Sequence, residues 1–388
     1  MQYWDIIFYT DLIFFIFVSM TVLYMGVFAL ASMFNRHGET PKSRKQNRFI
    51  IFIPAYKNGL ATERTVQCIL GQIYPQREFD VTVIADHLDE MSNFRLAQHP
   101  ITLLTPNFKK HSRAKSLQLG INNLPRLKIY DVAVVLNPGS IVEPEFLSQL
   151  NDAYEAAGTK AIQTHCVSQN HDTAPARLSA IFEEINNSIF RRGHVALGLS
   201  SAMSSSGMAF DFNWFKKNIM SAKTSYDEKE LELLLVRQNI YVDYFDNIMV
   251  FDEKARSAED FNRQRGHWFI SQAVSILRSI RFLPGAIINR QYNLIDKILQ
   301  WSLIPRIILM GIILFMGAIM PFIYFTLALK WWALFATVLF IFALATPNYL
   351  VDSKWNRTFF LVPVILLSSL LAKTPLGKSL KEYVNQKL

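Results

Sequence analysis

Side chains that could bind a polar ligand lie at the carboxyl ends of three of four short apolar runs in the first part of the sequence. They are Pro54, Ala55 and Tyr56 at the end of the first run, Asp86 and Asp89 at and just after the end of the second, and Asn137 at the end of the fourth. A tyrosine ring can stack on a flat base. Carboxylates accept hydrogen bonds from imide or hydroxyl groups. These residue types suit the recognition of a nucleotide.

Further chemistry is available in two helical segments. Arg113 lies in SRAKSLQLG (112–120), and its guanidinium could pair with a phosphate or belong to a solvated basic face. Asp227 and Glu228 precede the amphipathic run LELLLVRQ. One carboxylate of this pair could remove a proton from a hydroxyl group, or the pair could complement the helix dipole.

The elements that must position these residues alternate along the chain. The four apolar, β-branched runs are RFIIFIPAY (48–56), DVTVIAD (80–86), ITLLTP (101–106) and DVAVVLN (131–137). The segments between them have apolar residues at helical spacing. This alternation predicts an α/β domain with a mostly parallel sheet and flanking helices. In such sheets the ligand lies beyond the carboxyl ends of the strands, so the polar residues should converge there.

Long apolar segments flank this domain. The 388-residue chain is 51% hydrophobic, and residues 6–33 form a segment long enough to span a membrane, which predicts an anchor over 1–35. Basic residues at 36–48 place the following domain in the cytoplasm. Blocks at 298–349 and 357–372 predict C-terminal membrane segments within 296–372, before a basic tail at 373–388. Lys330, Trp331 and Trp332 resemble an interface belt joining two spans.

Charge and cysteine content restrict the partners. Residues 256–290 combine apolar positions at 3–4 spacing with arginines, which predicts amphipathic helices at the membrane interface. Much of the net charge of +9 flanks apolar segments, so anionic membrane lipids are the expected partners and nucleic acid is not. Two cysteines, Cys68 and Cys166, imply no disulfide framework and fit a reducing compartment.

Six short motifs in order resemble the membrane-bound family 2 glycosyltransferases, which include cellulose, hyaluronan and poly-N-acetylglucosamine synthases and ceramide glucosyltransferases. The motifs are IPAYKN (53–58), ADHLDE (85–90), SRAKSLQLG (112–120), SSSGMAF (204–210), SYDEKELELLLVRQNIYVDYFD (225–246) and QRGHW (264–268). The resemblance covers roughly residues 48–275. It implies a GT-A nucleotide-sugar-binding domain over 48–255, followed by α-helical transmembrane segments.

The resemblance also implies a role for each motif residue. The nucleotide-sugar residues are Pro54, Ala55, Tyr56, Asp86, Asp89, Arg113 and Asn137. The catalytic base is Glu228, with Asp227 beside it in the reverse of the family's usual order. The residues that meet the acceptor or the diphosphate are Ser206, Gly207, Gln264, Arg265, His267 and Trp268. His267 stands where the family has arginine, while Trp268 keeps a stacking face.

One motif departs from the family pattern. Where an Asp-x-Asp pair normally holds Mg²⁺ or Mn²⁺, this sequence has Asn137, Pro138 and Gly139. Only Asn137 could offer a ligand atom, and it is neutral, so the sequence predicts weak metal binding or none. Arginine and lysine side chains could neutralise the diphosphate instead.

Two functions follow from these features. The first is an inverting glycosyltransferase that moves a sugar from a nucleotide-sugar, with UDP as the expected nucleotide, to a lipid or polysaccharide acceptor at the cytoplasmic face of an inner membrane. The second is a non-catalytic membrane subunit that binds nucleotide-sugar and assembles with partner subunits. The few ionisable residues in the apolar blocks disfavour a transporter.

Overall fold

A computed structural model describes residues 3–34, 40–109, 111–125, 127–222 and 227–351. The strands are β1 (Phe49–Tyr56), β2 (Phe79–Asp86), β3 (Thr102–Leu104), β4 (Val132–Val135), β5 (Ile141–Val142), β6 (Ala161–Ser168), β7 (Met208–Asp211) and β8 (Val242–Asp252). The helices before the last strand are α1 (Tyr3–Ala31), α2 (Gly59–Leu70), α3 (Glu90–Ala97), α4 (Arg113–Asn122), α5 (Phe146–Ala157), α6 (Ala174–Ile185), α7 (Gly193–Ala196), α8 (Phe212–Ile219) and α9 (Asp227–Arg237). Those after it are α10 (Ala258–Ser279), α11 (Leu283–Ile288), α12 (Tyr292–Ser302), α13 (Arg306–Ile323) and α14 (Phe325–Ala345).

The described strands form one mixed sheet in the order β3-β2-β1-β4-β7-β6-β8-β5. Strands β1 to β4 are parallel, as the sequence predicts, whereas β7 runs antiparallel to both β4 and β6. The four predicted strands are confirmed, although the fourth ends at Val135, two residues early. The polar residues after β1, β2 and β4 therefore lie at one edge of the sheet.

Both faces of the sheet are covered, which explains the continuous apolar runs. Alternate residues of β1 point to opposite sides: Phe49 and Ile51 pack in a core with α2 and α5, while Ile50 and Phe52 pack in a second core with α4, α8 and α9. The parallel register of β1 with β2 pairs Tyr56 with Asp86. These two predicted binding residues are therefore neighbours at the sheet edge.

Three described helices, α1, α13 and α14, are long and apolar enough to cross a membrane. The predicted join between two spans near Lys330 is wrong: α13 and α14 meet at Tyr324. Trp331 is instead fully buried, and its indole nitrogen donates to Asp11 of α1 at 2.9 Å, while Lys330 pairs with the same carboxylate. These residues fasten α14 to α1. The predicted segments at 357–372 and 373–388 lie outside the described residues.

Helix α1 is also fixed to the α/β domain. The Phe28 ring stacks on the His194 ring with centroids 3.7 Å apart, and the Tyr24 hydroxyl lies 2.9 Å from His194 Nε2. A Cβ atom on Gly193 would lie 2.1 Å from the Phe28 carbonyl oxygen, so only glycine fits between the two helices. Tyr24 additionally donates to Asp296 of α12 at 2.6 Å.

The predicted interfacial segment forms α10, a short 3-10 turn and α11. Apolar side chains on this segment are exposed, among them Ile270, Leu277, Ile287 and Ile288. Their placement agrees with the expected interfacial position, which stays a prediction.

Candidate active site

The first part of the site lies at the ends of β1 and β2. The fully buried Asp86 carboxylate accepts hydrogen bonds from Nδ1 of His87 (2.6 Å), Nδ1 of His111 (2.8 Å) and the amide of Phe108 (3.3 Å). Burial opposes ionisation of Asp86, but these hydrogen bonds outweigh it and lower the pKa. The Tyr56 ring stacks on His111 with centroids 4.1 Å apart. A tyrosine, two histidines and one carboxylate thus form a polar, aromatic surface suited to a nucleobase.

The other residues predicted at these strand ends have structural contacts. Pro54 and Ala55 are buried inside β1, so they shape the strand end through the backbone. Asp89 caps helix α3, accepting from the amide (2.8 Å) and the hydroxyl (2.7 Å) of Ser92. These two hydrogen bonds from Ser92 lower the pKa of Asp89. Its predicted contact with the nucleotide-sugar stays a prediction.

The second part of the site joins the first turns of α4 and α9. Arg113 Nη1 lies 3.2 Å from Asp227 and 3.8 Å from Glu228, and its Nη2 donates to the carbonyl of Ser205. Asp227 is fully buried, whereas the Glu228 side chain is 18% exposed. The pKa of Glu228 is raised to about 7, by burial first and by the Asp227 charge second, with Arg113 opposing both. Burial also raises the pKa of Asp227. Glu228 can therefore exchange a proton near neutral pH.

A chain of hydrogen bonds ties the loop after β4 to the segment before β7. Asn137 Nδ2 donates to Ser205 Oγ at 2.9 Å, and the Asn137 amide donates to Ser206 Oγ at 3.1 Å. The Ser140 hydroxyl contacts Ser206 Oγ at 2.9 Å and donates to Asp252. Burial raises the pKa of Asp252. Ser205 thus links Asn137 to Arg113 through its hydroxyl and its carbonyl.

This loop does not fit a divalent cation. Asn137, Pro138 and Gly139 carry no carboxylate, and the buried Asp252 nearby is already the acceptor of Ser140. Within the described ranges, no group of three or more histidine, cysteine, aspartate or glutamate side chains could hold a metal ion. Hard cations such as Mg²⁺ and Mn²⁺ require several oxygen ligands, carboxylates above all.

Gly207 serves packing of the sheet. Its φ is +67°, and an added Cβ atom would lie 2.0 Å from Thr164 Oγ1. The neighbouring Ser206 is fully buried in the hydrogen-bond chain. The residues of SSSG (204–207) that face open space are instead Ser204 and Ser205, which line a cavity.

A cavity of about 320 Å³ lies between the start of α9, helix α10 and the first residues of α13. Glu228 lines it together with Gln264, Arg265 and Trp268 of the QRGHW motif. His267 is exposed on α10 and is not among the lining residues. The structure therefore brings the predicted base together with three of the four predicted acceptor residues of this motif.

Several residues of this cavity were not predicted from the sequence. They are Arg191, Lys229, Lys254, Trp301 and Arg306. Glu183 accepts from Arg191 at 2.9 Å and pairs with Lys254 at 3.5 Å. Most of these side chains come from segments outside the six motifs; Lys229 alone lies in one, directly after Glu228. The one other available signal was Arg306, a charged residue inside the apolar block 298–349.

Comparison with known proteins identifies the family of this chain. Residues 134–350 match the family model described as "Glycosyl transferase family group 2", and since the match spans more than half of the chain, the protein belongs to this glycosyltransferase family. No curated protein sequence matches the chain.

Two solved structures are among those to which the chain is similar. One is the mannosyltransferase PcManGT from Pyrobaculum calidifontis in complex with GDP-Man and Mn²⁺, with 11% identity, a TM-score of 0.53, and coverage of 88% of this chain and 96% of that one. The likeness to PcManGT confirms the predicted GT-A fold. The other is S. aureus TarS 1–349 in complex with UDP-GlcNAc, with 13% identity, a TM-score of 0.42, and coverage of 88% and 92%.

Proposed function

We propose that the protein is an inverting glycosyltransferase that moves a sugar from a UDP-sugar to a lipid or polysaccharide acceptor at the cytoplasmic face of a membrane. The observation that carries this proposal is the meeting of Arg113, Asp227 and Glu228 beside a cavity that Glu228 itself lines. A cation for the leaving diphosphate and a base for the acceptor hydroxyl are thus adjacent.

The proposed reaction is one displacement. Glu228 takes the proton of the acceptor hydroxyl, the oxygen bonds to the anomeric carbon, and the bond from that carbon to the diphosphate oxygen breaks on the opposite side. Attack from the side opposite the leaving group inverts the anomeric centre. Arg113 stabilises the charge on the departing nucleoside diphosphate, and Tyr56 and Asp86 hold its base.

The proposed reaction uses arginine in place of a metal at the diphosphate. PcManGT was solved with Mn²⁺, but the Asn137-Pro138-Gly139 loop here lacks the carboxylates that a divalent ion prefers. Arg113 lies within hydrogen-bond reach of both Ser205 and Asp227, so it is held beside the loop. We therefore expect transfer to continue in the presence of a chelator.

The membrane setting is supported by the three apolar helices and by the exposed apolar side chains of α10 and α11. The cluster of basic residues after α1 favours the cytoplasm for the α/β domain. The cavity beside Glu228 includes Met25 of α1 and Pro305 before α13, so an acceptor can reach the base from the membrane side.

The experiment that tests this proposal replaces Glu228 by Gln and measures sugar transfer from a panel of UDP-sugars to membrane lipids and oligosaccharides. Loss of a general base typically reduces the rate by about 10²-fold to 10⁴-fold, and we expect such a loss with nucleotide binding retained. The control is Glu259→Gln, which removes an exposed carboxylate at the start of α10. Unchanged transfer by the Glu228 variant would contradict the assigned base.

A second candidate function is a non-catalytic subunit that retains nucleotide-sugar binding. It is favoured by the loss of the acidic pair at Asn137 and Gly139 and by the exposed position of His267. UDP release from UDP-sugars by the purified, folded protein separates the two functions. The assay is run with Mg²⁺, with Mn²⁺ and with a chelator. If no UDP is released under any of the three conditions with acceptors supplied, the result supports the non-catalytic subunit.

A further inference from the structure

The cavity beside Glu228 has an excess of positive charge. Five cationic side chains line it, namely Arg191, Lys229, Lys254, Arg265 and Arg306. Two carboxylates, Glu183 and Glu228, line it as well. Glu183 forms ion pairs with Arg191 and Lys254. Lys229 pairs with Glu232 at 3.2 Å. The remaining cations, Arg265 and Arg306, contribute two of the three excess positive charges that line the cavity.

Arg265 and Arg306 are held against one aromatic ring. Their guanidinium carbons lie 4.1 Å and 5.3 Å from the centre of the Phe182 ring. In the part of the chain that the structure describes, neither has a carboxylate within 4.0 Å; Arg306 bonds only to the Phe182 carbonyl and the Asn186 amide oxygen. Burial lowers the pKa of Arg265 to about 10, so this side chain is still cationic at neutral pH. Two adjacent, uncompensated guanidinium groups are suited to a phosphate.

Two further polar atoms of the cavity wall lack a partner. The indole nitrogen of Trp301, a residue that is 3% exposed, has no acceptor among the described residues, and Oε1 of Gln272 has no donor. Buried polar groups are normally hydrogen-bonded, and both residues line the cavity, so each unpaired atom is left with one hydrogen bond to offer. Trp301 offers a donor, and Gln272 offers an acceptor for a hydroxyl group.

The same cavity has an apolar wall formed by the candidate membrane spans. Met25 of α1 and Ile304 and Pro305 before α13 line it. A smaller cavity next to it, lined by Phe269 and Ile307 among others, shares Arg265 and Arg306 with the first. The arginine pair therefore lies between the polar space beside Glu228 and apolar surfaces that continue into α1 and α13.

We propose that the acceptor is an anionic lipid whose phosphate joins a hydroxyl-bearing head group to apolar chains. Arg265 and Arg306 bind the phosphate, Trp301 contacts the head group, and the acceptor hydroxyl reaches Glu228. The chains lie along α1 and α13. This inference rests on the proposed function, since it specifies which of the two acceptor classes the same cavity takes.

Native mass spectrometry of the full chain tests this site without any nucleotide-sugar. Dioleoyl-phosphatidylglycerol serves as an anionic lipid with a hydroxyl-bearing head group, and dioleoyl-phosphatidylcholine as a lipid without either feature. Glycerol 3-phosphate represents the free phosphate ester, and cellotetraose a neutral oligosaccharide. We expect the phosphatidylglycerol to bind at least about tenfold more tightly than each of the other three, which corresponds to one charge-assisted contact or more.

Variants then locate the binding. Arg265→Gln is expected to weaken phosphatidylglycerol binding about tenfold, and Trp301→Phe, which retains the ring, about fivefold. Arg265 has no hydrogen bond within the described residues, so its replacement leaves no buried partner unpaired. The control is Arg263→Gln, an exposed arginine on the same helix that pairs with Asp260, and it should bind as the parent does.

Three outcomes would overturn the inference. They are equal binding of phosphatidylcholine, equal or tighter binding of glycerol 3-phosphate, and unchanged phosphatidylglycerol binding in the Arg265 variant. Tight binding of cellotetraose would favour a polysaccharide acceptor and would also count against the lipid. Because turnover is not measured, such a failure leaves the proposed sugar transfer standing, and a failure of transfer leaves the lipid result interpretable.

Discussion

The two ends of the candidate site differ in how their polar groups are satisfied. At the sheet edge, Asp86 accepts three hydrogen bonds and Tyr56 lies on His111, so partners within the protein fill the contacts. In the cavity next to the candidate membrane helices, Trp301 Nε1 has no hydrogen-bond partner and Arg265 has no carboxylate partner among the described residues. A nucleobase that binds at the sheet edge must replace hydrogen bonds that already exist within the protein. An anion that binds in the cavity forms new hydrogen bonds without breaking others. The second end should therefore depend more strongly on ligand charge.

The largest expected effect comes from the residue between the two ends. Arg113→Gln leaves the fully buried Asp227 without its cation, and breaking a buried ion pair costs about 3 to 5 kcal/mol of stability. It also removes the charge that opposes the raised pKa of Glu228. We expect kcat/KM to fall about 10²-fold to 10³-fold and the pH profile to move to higher pH. Steady-state kinetics of sugar transfer measure kcat/KM and its pH profile, and thermal unfolding measures the stability.

Two variants at Arg113 and one control sharpen this result. Arg113→Lys retains the charge and should recover part of the activity. Lys115→Gln removes an exposed cation from the same helix and should change neither quantity. An Arg113→Gln variant with normal turnover would show that the two ends act independently.

A smaller effect is expected from Asp86→Asn at the sheet edge. The amide accepts with one oxygen only, so one of the contacts from His87 and His111 is lost and the base-binding surface is loosened. We expect KM for the UDP-sugar to rise about tenfold with kcat little changed.

The matched control is Asp89→Ala, which removes the cap of α3. It should lower stability by about 1 kcal/mol and leave KM within about twofold, because both oxygens of Asp89 already bind Ser92. A rise of KM in the Asp89 variant would instead support the contact with the nucleotide-sugar that the sequence predicts.

The dependence of the rate on pH is expected to be of the same size as the effect of Asp86→Asn. A pKa of about 7 for Glu228 means that the base is mostly protonated at pH 6 and mostly ionised at pH 8, so transfer should rise about tenfold over this range. Since Asp227 and Glu228 titrate together, the midpoint belongs to the pair. The raised pKa also makes this carboxyl group's contribution to stability fall as pH increases from 4.5 towards 7. A rate that is flat from pH 6 to 8 would contradict the role of Glu228.

The sequence predicted the parts of the molecule that depend on local pattern. Continuous β-branched runs gave β1 and β2 nearly to the residue, because strands buried on both faces need apolar side chains at every position. Arg113 and the acidic pair at 227–228 were named separately as site residues, and the structure brings their side chains within 4 Å of each other. Contacts that depend on distant segments were not predictable, and the pairing of Asp86 with His111 is an example.

The same distinction explains the errors in the apolar region. Trp331 resembled an interface residue by composition, but it is buried against α1, where its indole N–H donates a hydrogen bond to Asp11, 320 positions earlier in the chain. Likewise, Arg306 lies at the cavity in contact with the ring of Phe182, which belongs to the distant helix α6. Neither contact can be predicted from the spacing of residues in the local sequence.

The close contact between Gly193 and Phe28 has a mechanical consequence. With the Phe28 ring on His194 and the Tyr24 hydroxyl bonded to Asp296, helix α1 cannot swing as a loose tether. In the proposed membrane setting, the sugar-handling domain is held at a set height and tilt above the bilayer. The distance between the site and a membrane-bound acceptor is then fixed by the contact between α1 and the α/β domain. Replacing α1 with an unrelated hydrophobic helix would change the depth in the lipid layer at which the site meets an acceptor.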